Sequence, residues 1–159
     1  MNKRFMMAVA LASSMAGTSH AENRGNEAFS LRGECSAMQL GADDMTRFCQ
    51  GKLVSFTTAN GRVGFIFLIG DEGILQFSGA GAKQTRLAGE RASQPIDRVR
   101  FTLSKTAPDA ATSNAATGHC VYGNPFAGAS KVTCRVISAK RTFVAEFVTD
   151  GTPPASAEL

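Results

Sequence analysis

Cys35, Cys49, Cys120 and Cys134 form an even set of reactive side chains, divided into two local pairs of equal internal spacing. A redox dithiol uses a close Cys-x-x-Cys, and a zinc site uses similarly close pairs or histidines. Neither pattern occurs here, so an even set of this kind reads as two structural disulfides. Four cysteines allow three connectivities; the local pairing Cys35–Cys49 and Cys120–Cys134 is expected, the second because a hairpin would bring its partners face to face. No metal or cofactor is expected.

His119 is the only histidine beyond the first 21 residues and could titrate near neutrality. Its neighbour Cys120 is expected to be oxidised and so not a nucleophile. Phe77-Ser78-Gly79-Ala80-Gly81 has the wrong spacing for a nucleophile elbow, and no Gly-rich phosphate loop is present. Asp43-Asp44 and Asp71-Glu72 are adjacent acids in turns or caps, where neighbouring side chains point apart rather than form an acid–base couple. No catalytic residue is assigned. The surface with most chemical potential is basic: Lys83, Arg86, Arg91, Arg98 and Arg100, with only Glu90 and Asp97 among them. Arg98 and Arg100 should share one strand face about 7 Å apart. Such a patch suits a phosphate or carboxylate partner, or serves only as a charged strand face that discourages edge association.

These residues belong to a chain built for export. Lys3 and Arg4 precede an apolar run from Phe5 to Ala16, then Ser19 and Ala21 in small-residue positions, which predicts a signal peptide over 1–21 with cleavage after Ala21. The run is too short to span a bilayer as a helix, and no transmembrane segment follows. Residues 22–159 have the length of one domain. Removing Lys3 and Arg4 from the 17 basic residues leaves 15 against 13 acidic, a net +2, too little to argue for nucleic acid. The location expected is periplasmic or secreted.

The elements are mainly β. Lys52 to Ala59 and Arg62 to Ile69 flank Asn60-Gly61, the signal of a two-residue hairpin turn. That turn predicts Ala59 opposite Arg62, so that Phe56 faces Phe65 and Val54 faces Phe67. Leu53, Ser55, Thr57, Gly64, Ile66 and Leu68 then occupy the other side, apolar enough to predict a central strand covered on both faces. Ile74 to Ser78 forms a third strand of open register: a four-residue loop puts Leu75 and Phe77 beside Ile66 and Leu68, a five-residue loop puts Phe77 beside Phe67.

Gln94 to Leu103 alternates, with Val99, Phe101 and Leu103 on one side, Arg98, Arg100 and Thr102 on the other, and Pro95 at the start. Residues 104–118 read as a flexible loop within the domain. Asn124-Pro125-Phe126-Ala127-Gly128 turns the second hairpin, and pairing Gly123 with Lys131 sets Cys120 opposite Cys134. Thr142 to Thr149 follows, with Phe143, Ala145 and Phe147 on one face. Gly41 to Cys49, acidic first and basic last, predicts one or two helical turns. The fold class is thus mainly β, an antiparallel β-sandwich or small barrel built from hairpins, with at most one short helix and two disulfides.

Cys120-Val-Tyr-Gly-Asn-Pro-Phe-Ala-Gly, Val132-Thr-Cys134, and Phe143 to Thr149-Asp-Gly151 resemble small exported proteins of alphaproteobacteria, and Asn60-Gly-Arg62 and Pro95-Ile-Asp-Arg98 fit the same resemblance. The resemblance implies a bacterial envelope location and carries no activity, cofactor or catalytic residue. Two functions follow as expectations. One is a non-catalytic binding module, as an inhibitor, immunity or envelope- or host-interaction factor, meeting an anionic envelope component or a protein. The other is a small hydrolase or lyase acting on an anionic envelope polymer through His119, with a carboxylate such as Asp97.

Overall fold

A computed structural model describes residues 25–103 and 113–158. The expected signal peptide, its cleavage site and residues 104–112 of the expected loop lie outside the described residues.

The alternating segments become long strands: β1 (Glu27–Leu40), β3 (Cys49–Thr57), β4 (Arg62–Ile69), β5 (Gly73–Ala80), β7 (Arg91–Thr102), β8 (Ser113–Tyr122), β9 (Lys131–Ser138) and β10 (Arg141–Thr149). Three short pieces, β2 (Asp43–Asp44), β6 (Thr85–Leu87) and β11 (Ala155–Ser156), attach to β1, β7 and β1 respectively. Each long strand pairs antiparallel with its neighbours in the order β10-β9-β8-β7-β5-β4-β3-β1, and β1 pairs back onto β10 from Gly33↔Thr149 to Leu40↔Phe143. The sheet therefore closes on itself as an eight-strand barrel. Of the two expected arrangements, the barrel is the one formed.

Period-2 side chains fill its interior, as they do in barrels of this strand number. Phe67, Phe77, Phe147, Met38, Leu53, Leu75, Val99 and Val136 are fully buried there, and Phe67 meets Phe77 edge-on at 5.9 Å. Lys52, Arg98, Arg135 and Glu146 alternate with them on the outside. An apolar inside with a charged outside is the reverse of a barrel that faces lipid. No helix among the described residues is long and apolar enough to cross a membrane.

Two registers differ from expectation. Thr58 donates to Arg62 O, and Gly61 to Thr58 O, each at 2.8 Å. The loop is thus Ala59-Asn60-Gly61, three residues ending in Gly61 at φ +78°, the type I turn with a glycine bulge. One residue of slip exchanges the faces: Leu53 and Ser55 oppose Phe67 and Phe65 inside, while Val54 and Phe56 turn outward opposite Ile66 and Gly64. The Thr58 hydroxyl stabilises this loop, lying 2.5 Å from Asn60 Oδ1 and accepting from Arg62 N at 3.1 Å. The next loop is shorter than either expected length. Gly70-Asp71-Glu72 sets Phe67 opposite Leu75 and Phe65 opposite Phe77, which gives the facing of the five-residue option.

Other expectations shift by smaller amounts. β4 is not covered on both sides: its outer Ile66 and Leu68 stay half-buried in a single barrel wall. β7 begins at Arg91, so Pro95 lies inside the strand, on the outer face, two residues before a bulge between Ile96 and Arg98. Leu103 ends just past the strand and is exposed. Residues 113–118, expected in a loop, are the first half of β8. Their small side chains suit a crowded wall: a Cβ on Gly118 would sit 2.2 Å from the carbonyl oxygen of Arg135 on the adjacent strand. The segment expected as helix forms one 3-10 turn, Thr46–Phe48, preceded by β2.

Both disulfides form as expected. Cys120–Cys134 lies between directly paired residues of β8 and β9 and points into the core. Cys35–Cys49 ties β1 to β3 at the barrel end occupied by Met45 and the 3-10 turn.

Candidate functional site

The β7 bulge decides which side chains reach the outer wall. Ile96 and Val99 both point inward, so the intervening Asp97 and Arg98 both point out. Beyond the bulge the alternation resumes, and Arg98 and Arg100 stand opposite Ser78 and Gln76 of β5 on the outer face. β4 contributes a third guanidinium. Arg62 reaches over β5, donating to Ser78 Oγ at 3.0 Å and pairing with Asp97 at 2.5 Å.

Arg62, Gln76, Ser78, Arg98, Arg100 and Ser113 thus line one shallow groove of about 240 Å³ across β4, β5, β7 and β8. Its charge is unbalanced. Three arginines converge, and Asp97, the carboxylate among them, is held by Arg62. Arg100 Nε is buried without a hydrogen-bond partner among the described residues. A buried donor left unpaired is costly, and an acceptor entering the groove would satisfy it. Planar guanidinium forks match the oxygens of phosphate and carboxylate.

The expected basic patch divides into two. Arg98 and Arg100 share the groove, whereas Lys83 lies in a 3-10 turn (Gly81–Lys83), Arg86 in β6, and Arg91 at the start of β7. Seven residues of strand, about 23 Å, separate Arg91 from Arg98. Arg91 Nε also donates to Ala88 O at 3.1 Å, within the hairpin that joins β6 to β7.

His119 sits on the outer face of β8 with Pro95 on one side and Arg135 on the other. Asp97 is engaged by Arg62 and is not brought to it. Asp43 and Asp44 lie in β2, and Asp71 and Glu72 in the β4–β5 loop, at the far end of the barrel from the groove's Arg62. All four cysteines are disulfide-bonded, and no group of three or more His, Cys, Asp or Glu that could hold a metal occurs among the described residues.

Arg62 was not legible as a site residue. Its signal is the alternation of β4, which turns it outward with Gly64. Its meeting with Arg98 depends on the β4–β5 register, which the loop composition left open. With this geometry in view, neither a family model, nor a curated protein, nor a solved structure matches the chain.

Proposed function

We propose that this chain is a non-catalytic binding module of the bacterial envelope, exported by its N-terminal segment, which holds an anionic group in the groove of Arg62, Arg98 and Arg100. One observation carries the reading: three guanidinium groups from two strands flanking β5 line a groove to which no carboxylate contributes, the nearby Asp97 being paired with Arg62. A charged face that served only to prevent edge pairing has no edge to protect here, because the wall is closed on both sides of β7. The two disulfides suit an oxidising compartment.

The test compares the oxidised protein with its Arg98→Ala/Arg100→Ala variant, titrated with phosphatidylglycerol vesicles and with a soluble polyuronate. Binding to one of them should weaken at least tenfold in the variant and fall as salt rises, since exposed charges are screened over roughly 8 Å at physiological ionic strength. Unfolding free energy should fall by no more than about 0.5 kcal/mol, because the variant removes an unpaired buried donor rather than a contact that holds the fold. Affinity indifferent to both the variant and salt would remove the groove from the function.

A further inference from the structure

The two ends of the barrel differ. At one, Met45, Cys35 and Cys49 pack against the core. At the other, the inward positions of the strands change from large aromatic and aliphatic residues to Ser55, Thr57 and Val63, which are too small to fill the bore. The space left is a cavity of about 200 Å³. Phe65 and Tyr122 meet edge-on in its wall at 5.0 Å, and Phe29 and Leu31 form the side contributed by β1. Over it hangs Phe126, from the loop between β8 and β9, 64% exposed and edge-on against Phe29 at 5.5 Å. An aromatic ring so exposed, touching another ring at an apolar mouth, covers surface that would otherwise face water.

Three properties of this cavity define an occupant. No charged side chain lines it, so an ion inside would lose its hydration without compensation. Phe29, Phe65, Tyr122 and Phe126 present ring edges and faces, the surfaces against which another ring packs in offset or edge-on geometry. The hydroxyls of Ser55, Thr57 and Tyr122 make no hydrogen bond to protein among the described residues, and all three line the cavity. Burial lifts the Tyr122 phenol above its ordinary range, so it stays protonated and able to donate. A dry cavity of about 150 Å³ accommodates benzene. The mouth of a small barrel is also a recurrent place for a small ligand.

We infer that this mouth binds a small neutral aromatic molecule of one or two rings carrying a single hydrogen-bonding group, with the rings inside and that group at the hydroxyls. The site is separate from the arginine groove, which lies on the outer wall.

The experiment titrates the oxidised protein with 2-naphthol, and with naphthalene as the same body without a hydroxyl. The expected dissociation constant for 2-naphthol is about 10–100 μM, set by what so few ligand atoms can contribute. Val63→Phe, which places a ring in the cavity, should weaken both probes at least tenfold. Tyr122→Phe should weaken 2-naphthol about three- to tenfold, the worth of one hydrogen bond, and leave naphthalene unchanged. Arg98→Ala/Arg100→Ala should alter neither, which keeps this result independent of the groove. The inference is overturned if the protein shows no saturable binding of 2-naphthol at 1 mM. It is equally overturned if folded Val63→Phe binds as the parent does. Should Val63→Phe fail to fold, Tyr122→Phe decides alone: no loss for 2-naphthol, or equal loss for both probes, overturns it.

Discussion

Tyr122 is the only tyrosine, and the chain has no tryptophan, so its titration can be followed by absorbance without interference. Its ring lies against Phe65 and its phenol is raised by burial above the ordinary value near 10. The folded protein therefore keeps the phenol protonated at pH values where the unfolded chain has begun to ionise it. This contribution is fully present below pH 10 and is lost as pH rises through the higher folded value. An absorbance titration of the native protein should give a midpoint above 10, and the same titration in denaturant should return to about 10. Equal midpoints would place the ring in water and remove it from the cavity wall. At the same scale, the outward pair Arg98 and Arg100 was legible because alternation is a local property of the strand. Asp97 was not: the bulge turns it to the same side as Arg98, against the period. Bulges answer to the pairing of neighbouring strands, which a single segment does not contain.

The elements show the same division in the two hairpins. In β8–β9, a disulfide constrained the choice, and the register that brings Cys120 opposite Cys134 is the one observed. In β3–β4, Asn60-Gly61 suits both a two-residue and a three-residue loop, and the Thr58 hydroxyl favours the longer. Gly61→Ala tests that loop. Its Cβ would meet nothing within 4 Å, so the cost is the left-handed backbone alone, about 1 kcal/mol in equilibrium unfolding. A neutral or stabilising result would contradict the positive φ. The disulfides permit a second measurement. Each spans 14 positions, and a closed loop of about that size is worth roughly 3 kcal/mol in the chain-entropy model. Replacing Cys35 and Cys49 together with Ala should cost about that amount and leave Cys120–Cys134 intact by peptide mapping.

For the molecule as a whole, closure of β1 on β10 matters most. Gly33 meets Thr149 and Leu40 meets Phe143, so the last wall joins residues from opposite ends of the chain. Closure buries the inner face of every strand at once, and Phe67 at its centre is fully enclosed. Phe67→Ala should cost about 3–5 kcal/mol by denaturant unfolding, the transfer of the ring plus the cavity left behind. A loss below about 1 kcal/mol would mean that β4 does not face a filled interior. Period-2 alternation, turn residues and cysteine spacing by themselves determined that the chain is antiparallel β, how most strands alternate, and which cysteines join. Those are contacts between near neighbours, where a residue's preference acts on the segment that contains it. The barrel rather than the sandwich, the facing of β3, the convergence of Arg62 with Arg98 and Arg100, and the open mouth beside Tyr122 arise from tertiary pairing between strands instead. Each depends on which strands lie side by side and in what register, and one residue of slip, invisible in any single segment, turns a wall inside out.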